Sequence, residues 1–172
     1  MEPPPGNHQS LKLRHCRMDR LPKWIKGLHN LVKLTLFDTG LSRDGGAKLM
    51  HDIGKLQNLS ILRLWEHHCD ITIGEVQFKS DLFMSLRVLD LYYGSVPKIE
   101  SVKFDEGAMP RLEVLLLGLR QQVRFSGLEY LQSIRVVCVY HYWSEATPKE
   151  TFSQELREQL DKNKKGHVLK WT

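Results

Sequence analysis

Leu59-Ser60-Ile61-Leu62-Arg63-Leu64-Trp65 carries leucine at its first, fourth and sixth positions, and that spacing returns three more times along the chain. Leu31, Leu34 and Leu36 precede it; Leu86, Leu89 and Leu91, then Leu112, Leu115 and Leu117, follow it. The closing leucine-x-leucine of each copy has the period of two expected of a strand with one buried face. Recurrence at a nearly fixed distance means that each copy supplies one strand to a common sheet. The middle leucines Leu34, Leu62, Leu89 and Leu115 lie 28, 27 and 26 residues apart, enough for one strand and one return segment per turn of a solenoid.

The LxxLxL pattern is that of leucine-rich repeats. It predicts an α/β solenoid with a concave parallel β-sheet, an irregular or helical convex side and a C-terminal capping helix. Leu11 and Leu13 open a partial unit upstream, continued by Cys16, Met18 and Leu21; Leu128, Leu131, Ile134 and Val136 form a shorter unit downstream. About six units result, the terminal ones atypical, as capping units are. Residues 1–10 read as a disordered proline-rich leader, 11–146 as the repeats and 147–172 as the capping helix and tail.

On the convex side, Ala47, Leu49, Met50 and Ile53 predict a helix over 42–53, whereas 70–81 and 95–107 mix β-branched residues with Gly and Pro and read as loops or short turns. Trp24 is expected to plug the convex core, so that replacing it unfolds the chain. Thr147-Pro148-Lys149-Glu150 is a capping box with proline at the first helical position, followed by Phe152, Leu156 and Leu160 on one face. That helix is expected to cover the open edge of the last strand, and 167–172 offers one more candidate strand.

The 172 residues, 41% hydrophobic and 26% charged, have the balance of one soluble domain with a substantial core. A net charge of +5 is spread among interspersed acids, which gives diffuse attraction to anions but no nucleic-acid readout motif. Cys16, Cys69 and Cys138 are odd in number and widely separated, as expected of reduced thiols in a cytoplasmic protein. No apolar leader or membrane-spanning run is present, and the sequon Asn58-Leu59-Ser60 places a core leucine at its centre. His67-His68-Cys69-Asp70 has metal-ligand chemistry, but neighbours in an extended segment point to opposite sides and cannot converge on one ion. No nucleophile elbow, zinc-protease helix or phosphate loop occurs. The expectation is a chain without catalytic, cofactor or metal sites.

Binding residues are therefore sought on the open sheet. The residue after each LxL reads Phe37, Trp65, Tyr92, Gly118 and Val137, putting three aromatics side by side as potential anchors. Between the paired leucines stand Thr35, Arg63, Asp90, Leu116 and Arg135, with Arg63 in reach of Asp90. The remaining column reads Lys33, Ile61, Val88, Val114 and Ser133, apolar at its centre. Phe37, Trp65, Tyr92, Arg63, Asp90, Lys33, Thr35 and Arg135 are the candidate partner-binding residues. The three aromatics should each be more accessible than their flanking leucines.

Three ordered segments add a resemblance. Leu21-Pro22-Lys23-Trp24-Ile25, Phe104-Asp105-Glu106-Gly107-Ala108-Met109-Pro110-Arg111-Leu112 and Gly127-Leu128-Glu129-Tyr130-Leu131 resemble, in that order, segments of the C-terminal repeats of cereal-type coiled-coil nucleotide-binding leucine-rich-repeat disease resistance proteins. The resemblance covers the chain from about Leu11. It implies a cytoplasmic recognition or regulatory domain of plant innate immunity, partnered by a pathogen effector or by the coiled-coil and nucleotide-binding domains of a resistance protein. ATP binding does not carry over, since the phosphate loop is missing. The alternative is a stand-alone scaffold or ubiquitin-ligase-type substrate adaptor, which would be expected to carry a docking helix before its repeats.

Overall fold

The computed structural model describes residues 8–16, 21–39, 43–66, 74–93, 99–119, 123–141, 149–163 and 166–171. Residues 1–7 of the proline-rich leader, the His67–Asp70 cluster and the Thr147-Pro148 start of the capping box lie outside them, while Ser10, counted with the leader, opens the first strand.

Each LxxLxL copy forms a strand, and the strands pair in parallel. In chain order the elements are β1 Ser10–Arg14, α1 Lys23–Lys26, β2 Lys33–Phe37, α2 Arg43–Gly54, β3 Ile61–Glu66, β4 Glu75–Phe78 and β5 Val88–Tyr93. Then come β6 Ser101–Phe104, β7 Val114–Leu119, β8 Arg124–Ser126, β9 Val136–His141, α3 Lys149–Asp161 and β10 Val168–Trp171. The main sheet runs β1-β2-β3-β5-β7-β9-β10. Its register sets Leu34 beside Leu62, Leu62 beside Leu89 and Leu89 beside Leu115, so equivalent leucines stack in columns. Those columns are fully buried; each such leucine contributes about 1.5–3 kcal/mol by leaving water.

One turn repeats before five of the strands. The N–H of Leu31, Leu59, Leu86, Leu112 and Ile134 donates to the carbonyl three residues earlier, on Leu28, Leu56, Phe83, Met109 and Leu131, at 3.0–3.2 Å. Side chains tie successive turns together: Asn58 Nδ2 donates to His29 O at 2.6 Å, and Ser133 Oγ to Pro110 O at 2.7 Å. Both bonds satisfy carbonyls that the tight turn leaves without a ladder partner.

The convex side differs from the loops expected over 70–81 and 95–107. Those segments contain β4 and β6, which with β8 form a second, three-stranded parallel sheet. Val76 and Phe78, Val102 and Phe104, and Val123 and Phe125 are buried in alternation, and Phe78 stacks on Phe104 with ring centroids 5.1 Å apart. The period of two was present in sequence, but a single Val-x-Phe is too short to stand out from a loop. At the N-terminal end the helix over 43–54 forms as expected, burying Leu49, Met50 and Ile53 while Ala47 stays exposed. Within α1 it is Ile25 that is fully buried, while Trp24 is half-buried against the core.

The C-terminal end closes both sheets by different means. β10 pairs with β9 and takes up the edge of the main sheet, with Val168 beside Val136 and Trp171 beside Val139. The helix α3 covers the second sheet instead: Gln159 Nε2 donates to Phe125 O on β8 at 2.6 Å, and Phe152 packs on Phe125. The helix thus caps β8, and a strand caps β9.

Two glycines separate backbone freedom from crowding. Gly107 and Gly127 both have φ near +80°, yet a Cβ on Gly107 would meet nothing within 4 Å whereas one on Gly127 would lie 1.9 Å from Phe104 O. Gly107→Ala is expected to cost about 1–2 kcal/mol, the ordinary left-handed penalty. Gly127→Ala should cost clearly more, roughly 2–4 kcal/mol, because backbone must move. Urea unfolding of the two variants measures the difference, and equal losses would contradict the crowding argument.

Candidate functional site

The outward side chains of the main sheet form three columns set by its register. The first runs from Ser10 and Lys33 through Ile61, Val88, Val114 and Val136 to Val168; the middle from Lys12 and Thr35 through Arg63, Asp90, Leu116 and Cys138 to Lys170. The third reads Arg14, Phe37, Trp65, Tyr92, Gly118 and Tyr140.

The last, sixth unit is shifted by three residues from its sequence reading. Val136 pairs with Val114 and Val139 with Leu117, so its LxxLxL equivalent is Ile134-xx-Val137-x-Val139. Leu128 and Leu131 belong to a 3-10 turn and the repeat turn that precede the strand. Arg135 is therefore not in the middle column. It stands just before β9, in line with Glu113 and Arg87, on the rim where Arg87 Nη2 lies 2.6 Å from Glu113 Oε1. Ser133 and Val137 leave the exposed columns with it: Val137 is buried in the core, and Cys138 and Tyr140 take the outward places. Cys138 is a buried free thiol and Cys16, half-buried, is another.

The third column is a ladder of rings. Phe37, Trp65 and Tyr92 are half-buried, while their flanking leucines Leu36, Leu64 and Leu91 are fully buried. Ring centroids are 6.4 Å apart from Phe37 to Trp65 and again from Trp65 to Tyr92, and the planes are tilted by 63° and 59°. This edge-on contact suits the quadrupoles of neighbouring rings. Arg14 lies over Phe37 and Arg63 over Trp65, with guanidinium carbons 5.4 and 5.9 Å from the ring centres. Next in the column, Gly118 leaves room for Tyr92; a Cβ there would lie 2.4 Å from Tyr92 Cδ2. Tyr140 follows, 40% exposed.

The middle column carries Lys12, Arg63, Asp90 and Lys170. Arg63 Nε lies 3.5 Å from Asp90 Oδ2. Both Asp90 and Thr35 are largely covered, at 7% and 5% exposure, so the half-exposed outward side chains of β2 and β5 lie in the flanking columns. Lys33 is half-buried at the start of β2. Burial pushes the Asp90 carboxyl above the usual aspartate range, opposed by the Trp65 indole and the Arg63 guanidinium. Trp65 Nε1 is near enough to favour the carboxylate without closing a hydrogen bond of ordinary geometry. On the rim, the Arg87 hydrogen bond holds Glu113 below its usual range. Burial, with Cys138 and Asp90 close by, raises the Tyr140 phenol.

The surface presents rings, aliphatics and a few charges. Among the described residues no group of three or more His, Cys, Asp or Glu side chains is gathered so as to hold a metal ion. No described helix is long and apolar enough to cross a membrane.

The two shifted carboxylates pull stability in opposite directions. Asp90, with a raised native pKa, binds protons more tightly folded than unfolded; its favourable contribution is present at acid pH and is lost as pH rises through the acid range. Glu113, with a lowered pKa, contributes above its unfolded pKa and loses that contribution as pH falls. Urea unfolding should show wild type losing stability relative to Asp90→Asn as pH rises from 4 to 7, while it gains relative to Glu113→Gln. A flat difference for Asp90→Asn would mean that its burial is relieved in solution.

Comparison with known proteins agrees with this geometry. A family model described as a leucine-rich repeat region matches residues 1–168. Two rice proteins (Oryza sativa subsp. japonica), the disease resistance proteins Pik-2 and Pikm2-TS, are each 28% identical over 151 residues, covering 80% of this chain and 14% of theirs. A third, PIK6-NP, is 26% identical over the same length. The chain thus spans about a seventh of these relatives. No solved structure matches it at a significant level. Stacked LxxLxL strands, the recurring turn before them and the family match over nearly every residue lead to one conclusion: the chain belongs to the leucine-rich repeat region family, and its relatives include plant disease resistance proteins.

Proposed function

We propose that this chain is a protein-recognition and regulatory module of plant innate immunity, working through its concave face rather than by catalysis. Its partner is a pathogen effector, or the coiled-coil and nucleotide-binding domains of a resistance protein that it holds inactive. The place of action is the cytoplasm.

The observation that carries this reading is the half-exposed ladder of Phe37, Trp65 and Tyr92 on an otherwise regular sheet. Large rings of limited conformational freedom are favoured anchors at protein interfaces, and here the sheet backbone fixes them in advance. Similarity to rice disease resistance proteins supplies the biological setting. As a regulator, the module works by population shift: an effector releases the restrained state only if it binds the released one more tightly.

The test is capture of recombinant coiled-coil and nucleotide-binding domains of a rice relative by this chain, with Trp65→Ala/Tyr92→Ala as the probe and exposed Met84→Ala as the control. Wild type and control should bind alike, and the double variant should bind at least about 30-fold more weakly while remaining folded by circular dichroism. Unchanged affinity in the double variant would remove the ladder from the interface. No capture by wild type would exclude the restraining role.

A further inference from the structure

From the first strand of the main sheet to the last, the outward side chains change chemistry. β1 to β3 contribute Lys12, Arg14, Lys33 and Arg63 to the three columns and no carboxylate. Lys12 and Arg14 are exposed, and among the described residues neither Lys12 nor Lys33 has an ion-pair partner. Arg63 is matched by Asp90 on the next strand.

Beyond Asp90 the face becomes aliphatic. Val114, Val136 and Val168 continue the first column, Leu116 joins them from the middle one, and Tyr140 closes the third. Val168 and Tyr140 are 50% and 40% exposed, among the most accessible large apolar side chains of the described residues. Lys170, exposed on β10, is the one cation of the columns past Asp90.

Building on the recognition reading above, we propose that this face takes an acidic-then-aliphatic polypeptide segment laid across the strands. Its carboxylates lie over Lys12, Arg14 and Lys33, and its aliphatic side chains over the valines of β7, β9 and β10. The aliphatic half offers a displaced carboxylate no cation before Lys170 on β10, and this asymmetry fixes the direction of the segment. Seven strands at a spacing of ~4.8 Å span ~29 Å, the length of about nine extended residues at ~3.3 Å each. A nucleic acid fits less well. Its evenly spaced phosphates would set charge over valines that offer no donor, and desolvating those phosphates there would go uncompensated.

The probe is a fluorescein-labelled ten-residue peptide of four glutamates followed by six leucines and valines. It is compared with a peptide of the same composition with interspersed glutamates, one with lysines for glutamates, and a ten-nucleotide single strand. Anisotropy at 50 and 300 mM NaCl should show the block peptide bound about tenfold or more tightly than either control peptide, and weakened by salt. Lys12→Glu/Lys33→Glu should weaken it about tenfold or more, and Tyr140→Ser/Val168→Ser should weaken it without changing the weaker oligonucleotide binding; all four positions lie on the outer face, and circular dichroism checks that the variants fold. Equal binding of the block and interspersed peptides, or tighter binding of the oligonucleotide, would overturn the proposal. If the protein partner of the preceding test binds through Trp65 and Tyr92 but ignores salt and Lys12→Glu/Lys33→Glu, recognition stands and this partner chemistry falls. If neither that partner nor the block peptide binds, the restraining role and this partner chemistry both fall.

Discussion

Parallel pairing of successive strands with their inward residues in register is the constraint on which the rest of the molecule depends. Leu34, Leu62, Leu89, Leu115, Val137 and Leu169 form one continuous row, each paired to the next. A slip of one residue at any strand would turn its leucines to solvent and its charged residues into the core. Because each strand is held by its neighbours, burial and hydrogen bonding reinforce one register along the whole array. The recurring turn before the strands adds a local device that sets each chain segment at the right height before it enters the sheet.

That same constraint builds the candidate surface. Inward rows force the alternate residues outward, and a repeat that returns to the same place stacks them at strand spacing. A phenylalanine, a tryptophan and a tyrosine far apart in sequence thereby become neighbouring rings. Gly118 shows how tightly the ladder is fitted, since the Tyr92 ring occupies the space a side chain would need. The covered Asp90 carboxylate, matched by Arg63, lies beneath the more exposed flanking columns. The face therefore presents rings and aliphatics at its centre, with cations mainly on β1 to β3.

Closure of the array uses two unlike elements because it has two unlike sheets. The main sheet ends in one more strand, which repeats the inward-outward alternation with Leu169 and Trp171 facing the core. The second sheet ends under α3, whose Gln159 satisfies a backbone carbonyl on β8. Trp171 and Phe125 both meet Phe152 on that helix, so the two closures share a side chain. Without α3, the edge of β8 would leave backbone groups open to pairing with other chains.

The amino-acid sequence by itself determined the solenoid, the register of the four leucine-marked strands and the exposure of Phe37, Trp65 and Tyr92, because the LxxLxL spacing returning every 26–28 residues marks one face even in Val114-Leu115-Leu116-Leu117, where the alternate set is apolar too. Only tertiary structure decided the register of the last repeat. In Val136-Val137-Cys138-Val139 both alternate sets are apolar, so the period carries no sign, and pairing with β7 alone determines which valines go inward. Arg135 moved to the rim for that reason, and Tyr140 entered the ring column. The second sheet was hidden likewise: each Val-x-Phe is too short to read alone and becomes a strand only beside its counterparts one repeat away. Local pattern specifies what a segment can bury, and the neighbouring turn of the solenoid specifies where.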